Sequence, residues 1–178
     1  ARGQLVVLAL HRFLHFPPQP DQIGMPTCRG RPRTRTLANM LFLAVNVEDG
    51  VLIDIGSTTT DIVSIKNYQI KTKGIDDFSR LVAGELVYSG VVRTPLMALT
   101  DQVEFLGRKV PIVAEHFATT ADVYRVLGEL PDDVDQHPSA DGAAKTPLAS
   151  ARRLARMIGR DVESASFEDW QNLAGAFR

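Results

Sequence analysis

Val51-Leu52-Ile53-Asp54-Ile55-Gly56-Ser57-Thr58-Thr59-Thr60-Asp61-Ile62-Val63-Ser64-Ile65 is two apolar runs joined by a polar turn, and its reading decides the fold. The first run is rich in β-branched side chains and reads as a buried strand. Residues 62–65 read as the returning strand, which makes residues 56–61 the turn of a hairpin. Lys66-Asn67-Tyr68 turns the chain again into a third strand over residues 69–72, ending at Gly74. Three short strands joined by tight turns predict an antiparallel meander.

The same stretch carries the strongest chemical signal. Asp54 is a carboxylate inside a run of Val, Leu and Ile, and burying it is costly unless it meets a cation or a set of donors. Gly56 lets the chain turn sharply and lets a phosphate approach the backbone. Ser57, Thr58, Thr59 and Thr60 add hydroxyl donors to the loop amides, a combination able to cradle phosphate oxygens. Asp61 brings a second carboxylate to the mouth of the hairpin, where it can hold a hydrated Mg²⁺. The competing reading is a polar β-turn in which Asp54 is satisfied by local amides. A buried aspartate followed by glycine and four hydroxyls favours ligand binding.

Working outward, Asp76 or Asp77 caps a helix in which Phe78, Leu81, Val82, Glu85 and Leu86 recur at helical spacing, with Gly90 closing the region. Residues 91–95 are expected to be extended, because Pro95 pushes Thr94 out of helical geometry. Arg93 sits on that constrained segment. Its guanidinium can grip a phosphate or carboxylate bidentately, or pair structurally with Glu85. Residues 103–105 and 110–113 flank Leu106-Gly107-Arg108-Lys109 as a second hairpin. Thr119 or Thr120 caps a helix whose Val123, Tyr124, Val126, Leu127 and Leu130 face inward, with Asp122 complementing its dipole. Residues 132–142 form an acidic loop, in which Asp135, His137 and Asp141 either ligate a metal or are simply solvated. Thr146 caps the next helix, with Pro147 at its first position. Leu148, Ala151, Leu154, Ala155 and Ile158 make its stripe, and Gly159 ends it. Ser166 caps the last helix with Asp169 three positions on. Phe167, Trp170, Leu173, Ala174 and Phe177 form its apolar face. The fold class is mixed α/β, of α+β character.

The 178 residues suffice for an ordinary domain, and 44% apolar with 23% charged residues is the balance of a soluble globular protein. A net charge of −1 gives no reason to expect a nucleic-acid or membrane partner. The lone Cys28 can form neither an internal disulfide nor a thiolate cage, so a reducing cytoplasm is expected. No apolar run approaches the roughly 18 residues of a membrane span. Residues 1–36 hold Pro17, Pro18, Pro20, Pro26 and Pro32 and the alternating Arg29, Arg31, Arg33 and Arg35. They are expected to be a disordered leader outside the core, followed by one domain over residues 37–178. Residues 37–45 read as a short helix or buried strand. The chain starts on Ala1 and its final helix wants more chain to pack against, so truncation is expected at both ends.

Residues 54–62 resemble the phosphate loop of the hydantoinase A/oxoprolinase branch of the sugar kinase–actin superfamily. Residues 84–88, 90–95, 121–125, 128–130 and 140–142 resemble the tetrahydromethanopterin-linked C1 transfer pathway proteins of methylotrophic bacteria, whose archaeal relatives are methylofuran-biosynthesis synthases. The resemblance runs over residues 37–178. It implies a ribonuclease-H-like lobe of an actin-like fold, in a two-lobe protein with a cleft. It implies a transferase that couples an aminomethylfuran diphosphate to a tyramine-derived unit with loss of pyrophosphate. The roles that follow are Asp54 and Asp61 on Mg²⁺, Gly56, Ser57, Thr58, Thr59 and Thr60 on phosphate, and Arg93 on leaving-group charge. Glu85, Asp135, His137 and Asp141 are expected near the substrate. Mg²⁺ is the expected cofactor, with ATP as a further one, and a phosphorylated small molecule is the expected partner; the oligomeric state stays open. The superfamily's earlier Asp-Gly loop and its later glycine-rich adenosine loop are missing from this sequence, so the chain is expected to hold half a site and to be inactive alone. The alternatives on the same fold are an ATP-dependent kinase, a hydantoinase/oxoprolinase-type hydrolase, and a non-catalytic ligand-binding regulator.

Overall fold

The computed structural model describes residues 6–11 and 46–178. The chain divides into two compact units, residues 1–88 and 89–178, where the sequence suggested one domain over 37–178. The physical reason is that the apolar residues gather into two separate clusters, one around Leu52 and Val63 and one around Trp170 and Leu154.

In the first unit, β2 (Asp49–Ile55) and β3 (Thr60–Lys66) form the expected hairpin, and β4 (Gln69–Lys71) completes the meander on the other side of β3. Asn67 and Tyr68 both have positive φ, the geometry whose twist suits a two-residue hairpin turn. A short β5 (Leu86–Val87) also pairs with β3, at Thr60 and Asp61. The far edge is β1 (Val6–His11), parallel to β2. This strand comes from the segment expected to stay outside the core. Its Val-Val-Leu-Ala-Leu run is β-prone, and the prolines that argued against structure begin only at Pro17. Cys28, the arginine run and residues 37–45 lie outside the described residues. Along β2, Gly50, Leu52 and Asp54 occupy the buried face, opposite Ile65, Val63 and Asp61 of β3.

Helix α1 (Asp77–Val82) starts at Asp76, whose side chain accepts from the Ser79 amide in a capping box. The expected inward stripe is not what the helix buries. Phe78 is 76% and Val82 75% exposed, Leu81 is exposed too, and the buried residue is Arg80. The helix ends before Glu85 and Leu86, which belong to the turn and to β5.

The second unit pairs β6 (Gln102–Phe105) with β7 (Arg108–Pro111) through Leu106 and Gly107, both at positive φ. Helices α2 (Thr120–Val126), α3 (Pro147–Met157) and α4 (Phe167–Gly175) build the core with that hairpin. The caps fall on Thr119, Thr146 and Ser166. Trp170, Leu173 and Ala174 of α4 are buried within this unit, against Phe105, Val126 and Leu154 among others. The Trp170 indole stacks on Phe105 at 5.0 Å and donates to the Val162 carbonyl at 2.9 Å. Leu148 stays exposed, so its stripe on α3 is narrower than its spacing suggested. Residues 91–93 form a turn rather than an extended strand, because the Thr94 hydroxyl accepts from the Gly90 amide and donates to the Gly90 carbonyl. Pro95 is extended and bridges Thr119.

Candidate functional site

The antiparallel register puts Asp54 directly across from Asp61. Opposed residues of this kind carry their Cβ atoms roughly 4.5–5.5 Å apart, and two like charges there are destabilising unless a cation joins them. Asp54 is only 3% exposed, so solvent does little to screen the pair. The cation at Asp61 is Arg80, whose Nη1 lies 2.7 Å from Asp61 Oδ1, with both side chains largely buried. Its Nη2 donates to the Glu85 carbonyl at 3.0 Å. Glu85 in turn accepts from the amides of Lys73 at 2.6 Å and Gly74 at 3.0 Å, while its own amide donates to the Arg80 carbonyl at 2.8 Å. Glu85 therefore ties the chain before α1 to the chain after it. Both its oxygens serve backbone amides. Arg93 is exposed and belongs to the second unit.

Gly74 makes this arrangement sterically feasible. A Cβ built there would meet the Arg80 nitrogen at 2.4 Å. Neither Arg80 nor Gly74 stood out in the sequence. The usable signal was that two opposed carboxylates need a cation, and Arg80 is the only basic residue between Asp76 and Glu85.

At the hairpin tip the Gly56 amide donates to the Thr59 carbonyl at 2.8 Å, closing the loop. Ser57, Thr58, Thr59 and Thr60 are all half-buried around it, with the Ser57 and Thr58 hydroxyls 3.4 Å apart. Among the described residues no group of three or more His, Cys, Asp or Glu side chains gathers to hold a metal. Two carboxylates flanked by hydroxyls are nevertheless the hard-oxygen set that a mostly hydrated Mg²⁺ takes.

The acidic loop is held by ion pairs within the second unit. Asp122 is the hub of a buried network: its Oδ1 accepts from Ser150 Oγ and Arg153 Nε, both at 2.8 Å, and its Oδ2 accepts from the Thr119 amide at 3.0 Å. This goes well beyond the dipole role expected for it. Arg153 reaches Asp141 Oδ1 at 3.0 Å, and Arg125 reaches Asp135 Oδ2 at 2.6 Å. Lys145 donates to the Asp135 carbonyl at 2.6 Å. Asp135 and Asp141 thus fasten the loop to α2 and α3, while His137 is exposed and donates its amide to Asp135 at 3.3 Å.

Burial pushes the Asp141 carboxyl up, but the Ala143 amide, the Arg153 guanidinium and the Ser139 hydroxyl outweigh it and hold the group below its ordinary value. A lowered native value means the fastening is fully present above the ordinary aspartate range, about 3.9, and is lost as pH falls through the native value. Hydrogen exchange at the Ala143 amide should therefore show protection near neutrality that disappears in acid. Asp141→Asn should remove the pH-dependent part. Equal protection at both ends of the titration would rule out this anchoring role.

The family model of hydantoinase/oxoprolinase matches residues 35–174. A protein of Methanocaldococcus jannaschii is 35% identical over 127 residues, covering 71% of this chain and 38% of that protein. It is named as the synthase of a furan-2-yl methanamine that carries a (gamma-L-glutamylamino)ethyl-phenoxymethyl group. A Methanococcus vannielii protein of the same name is 30% identical over 134 residues, covering 75% of this chain and 60% of that protein. The chain therefore spans between 38% and 60% of the length of these curated relatives. The family match takes in the carboxylate hairpin, the Arg80 clamp and the fastened loop, and the chain belongs to the hydantoinase/oxoprolinase family.

Proposed function

We propose that this chain is part of a methylofuran-biosynthesis transferase, on a ribonuclease-H-like lobe of an actin-like fold, which couples an aminomethylfuran diphosphate to a tyramine-derived unit and releases pyrophosphate. The observation that carries this reading is the Asp54–Asp61 face beside the Gly56-to-Thr60 hydroxyl loop. The relatives' names support it, because they describe a phenoxymethyl ether on a furan. Making that ether forms a bond from the phenol oxygen to the methylene carbon and breaks the carbon–oxygen bond to the diphosphate. The bonding pair leaves with pyrophosphate, and the phenol proton passes to solvent. In this chain the loop amides and the hydroxyls of Ser57 to Thr60 bind diphosphate oxygens. Asp54 and Asp61 hold Mg²⁺, which when bound offsets the diphosphate charge. Arg80 fixes where the Asp61 carboxylate points.

Calorimetric titration of the chain with pyrophosphate, with and without Mg²⁺, tests the reading. Asp54→Asn should fold with an unchanged melting temperature and lose Mg²⁺-dependent affinity by at least about tenfold, because a hard cation loses an anionic oxygen. A purely structural Asp54 gives the opposite pattern: a loss of about 1–3 kcal/mol of stability, with affinity per folded molecule intact. That second pattern would remove the functional reading.

A further inference from the structure

The β6–β7 hairpin and the end of α3 line an open concavity of about 410 Å³, bordered by Phe105, Leu106, Arg108, Val110, Ile158 and Arg160. That volume lies within the roughly 300–1,000 Å³ of small-molecule sites, and the lining follows their pattern of apolar walls with few polar groups. Phe105 and Ile158 are buried, and Phe105 is held flat by its stack on Trp170. The only charged groups in the lining are two guanidiniums.

Tight turns place the backbone of both arginines. Arg160 follows Gly159, whose positive φ ends the helix, and its amide donates to the Ala155 carbonyl at 3.0 Å. Its guanidinium lies 5.7 Å from the Phe105 ring centroid. A cation at this distance is attracted to the ring, and a guanidinium keeps further N–H donors that an anion can meet. Arg108 opens β7 directly after the Leu106-Gly107 turn. Among the described residues neither arginine has an ion pair with an acid. Part of their presence suits the negative end of α3. A helix end alone, however, does not call for an apolar concavity between two cations.

We propose that this concavity binds a small anion carried on a flat apolar body: a carboxylate or phosphate monoester on an aromatic ring. The ring lies against Leu106 and Val110, the apolar lining residues that are not buried, and the anionic group meets Arg108 and Arg160. The inference does not depend on the diphosphate reading of the hairpin loop.

The test is a chemical-shift and calorimetric titration of the full chain with benzoate, phenyl phosphate and neutral benzamide. One or both anions should bind saturably and shift the Trp170 indole N–H, and benzamide should bind at least about tenfold more weakly. The tighter of the two anions identifies the carboxylate or the phosphate source. Arg108→Gln and Arg160→Gln should each weaken the anion by about tenfold with little change in melting temperature, since both side chains are exposed. Asp54→Asn should leave this binding intact. No saturable binding of either anion would overturn the proposal. So would equal affinity for benzamide, or anion affinity that survives in the double arginine variant.

Discussion

Arg153→Met should cost about 3–5 kcal/mol, the usual penalty for removing one member of a buried ion pair. Arg153 has 0% exposure and meets Asp122 at 2.8 Å, Asp141 at 3.0 Å and the Ala144 carbonyl at 3.3 Å. Methionine fills much of the volume, so the loss is one of charge and donors rather than packing. It leaves Asp122 buried with Arg125 as its nearest cation, at a looser 3.5 Å. Such a loss is a large fraction of the roughly 5–15 kcal/mol by which domains are stable. Arg153→Lys should recover only part, because an ammonium cannot reproduce the planar fork that spans Asp122 and Asp141. Chemical denaturation measures each variant. The double variant Arg153→Met with Asp122→Asn should cost clearly less than the sum of the singles, since Asp122→Asn removes the charge that the first change strands. A loss below about 1 kcal/mol, or additive effects in the cycle, would show that Arg153 is not coupled to Asp122.

The features legible in the sequence are those set by near neighbours. Asp76, Thr146 and Ser166 cap helices because a short polar side chain reaches an amide three residues on, and at Thr119 the Asp122 carboxylate three residues on accepts from the cap amide. The opposition of Asp54 and Asp61 follows from counting outward in equal steps from the Gly56-to-Thr59 turn. What escaped was the placement of charge. Hydrophobic periodicity assigns charged residues to the outside, so it could not find Arg80 or Arg153, each buried because acids from elsewhere in the chain await it. In α1 the helix is only six residues long, too short for three apolar side chains to define a face, and its orientation is decided by Arg80. The turn at residues 91–93 escaped for a related reason. Pro95 restricts only Thr94, and the Thr94 hydroxyl is what bends the preceding segment. The membrane reading rests on the described residues, in which no helix is long and apolar enough to cross a bilayer.

The carboxylate hairpin should depend sharply on a residue with no side chain. In Gly74→Ala the new methyl would meet the Arg80 nitrogen at 2.4 Å, its Cγ at 2.5 Å and its Cα at 2.6 Å. Two of these atoms are backbone, so rotation of the arginine side chain cannot relieve the clash. The start of α1 has to move, and overpacking of this kind costs about 1–3 kcal/mol or more. The movement acts on the site by two routes: it draws Arg80 from Asp61, and it disturbs the Gly74 amide on Glu85. Mg²⁺-dependent pyrophosphate affinity should fall along with stability. For stability alone, Gly56→Ala is the matched control, because its Cβ would stand 3.2 Å from the Thr59 carbonyl oxygen, a contact that a shift of a few tenths of an ångström relieves. It should cost well under half as much. Arg80→Met separates site disruption from general strain. If Gly74→Ala lowers affinity through Arg80, adding it to Arg80→Met leaves affinity no lower than Arg80→Met alone, even though stability drops further. A further fall in affinity in the double variant would mean that Gly74 acts on the hairpin by a route other than the Arg80–Asp61 pair.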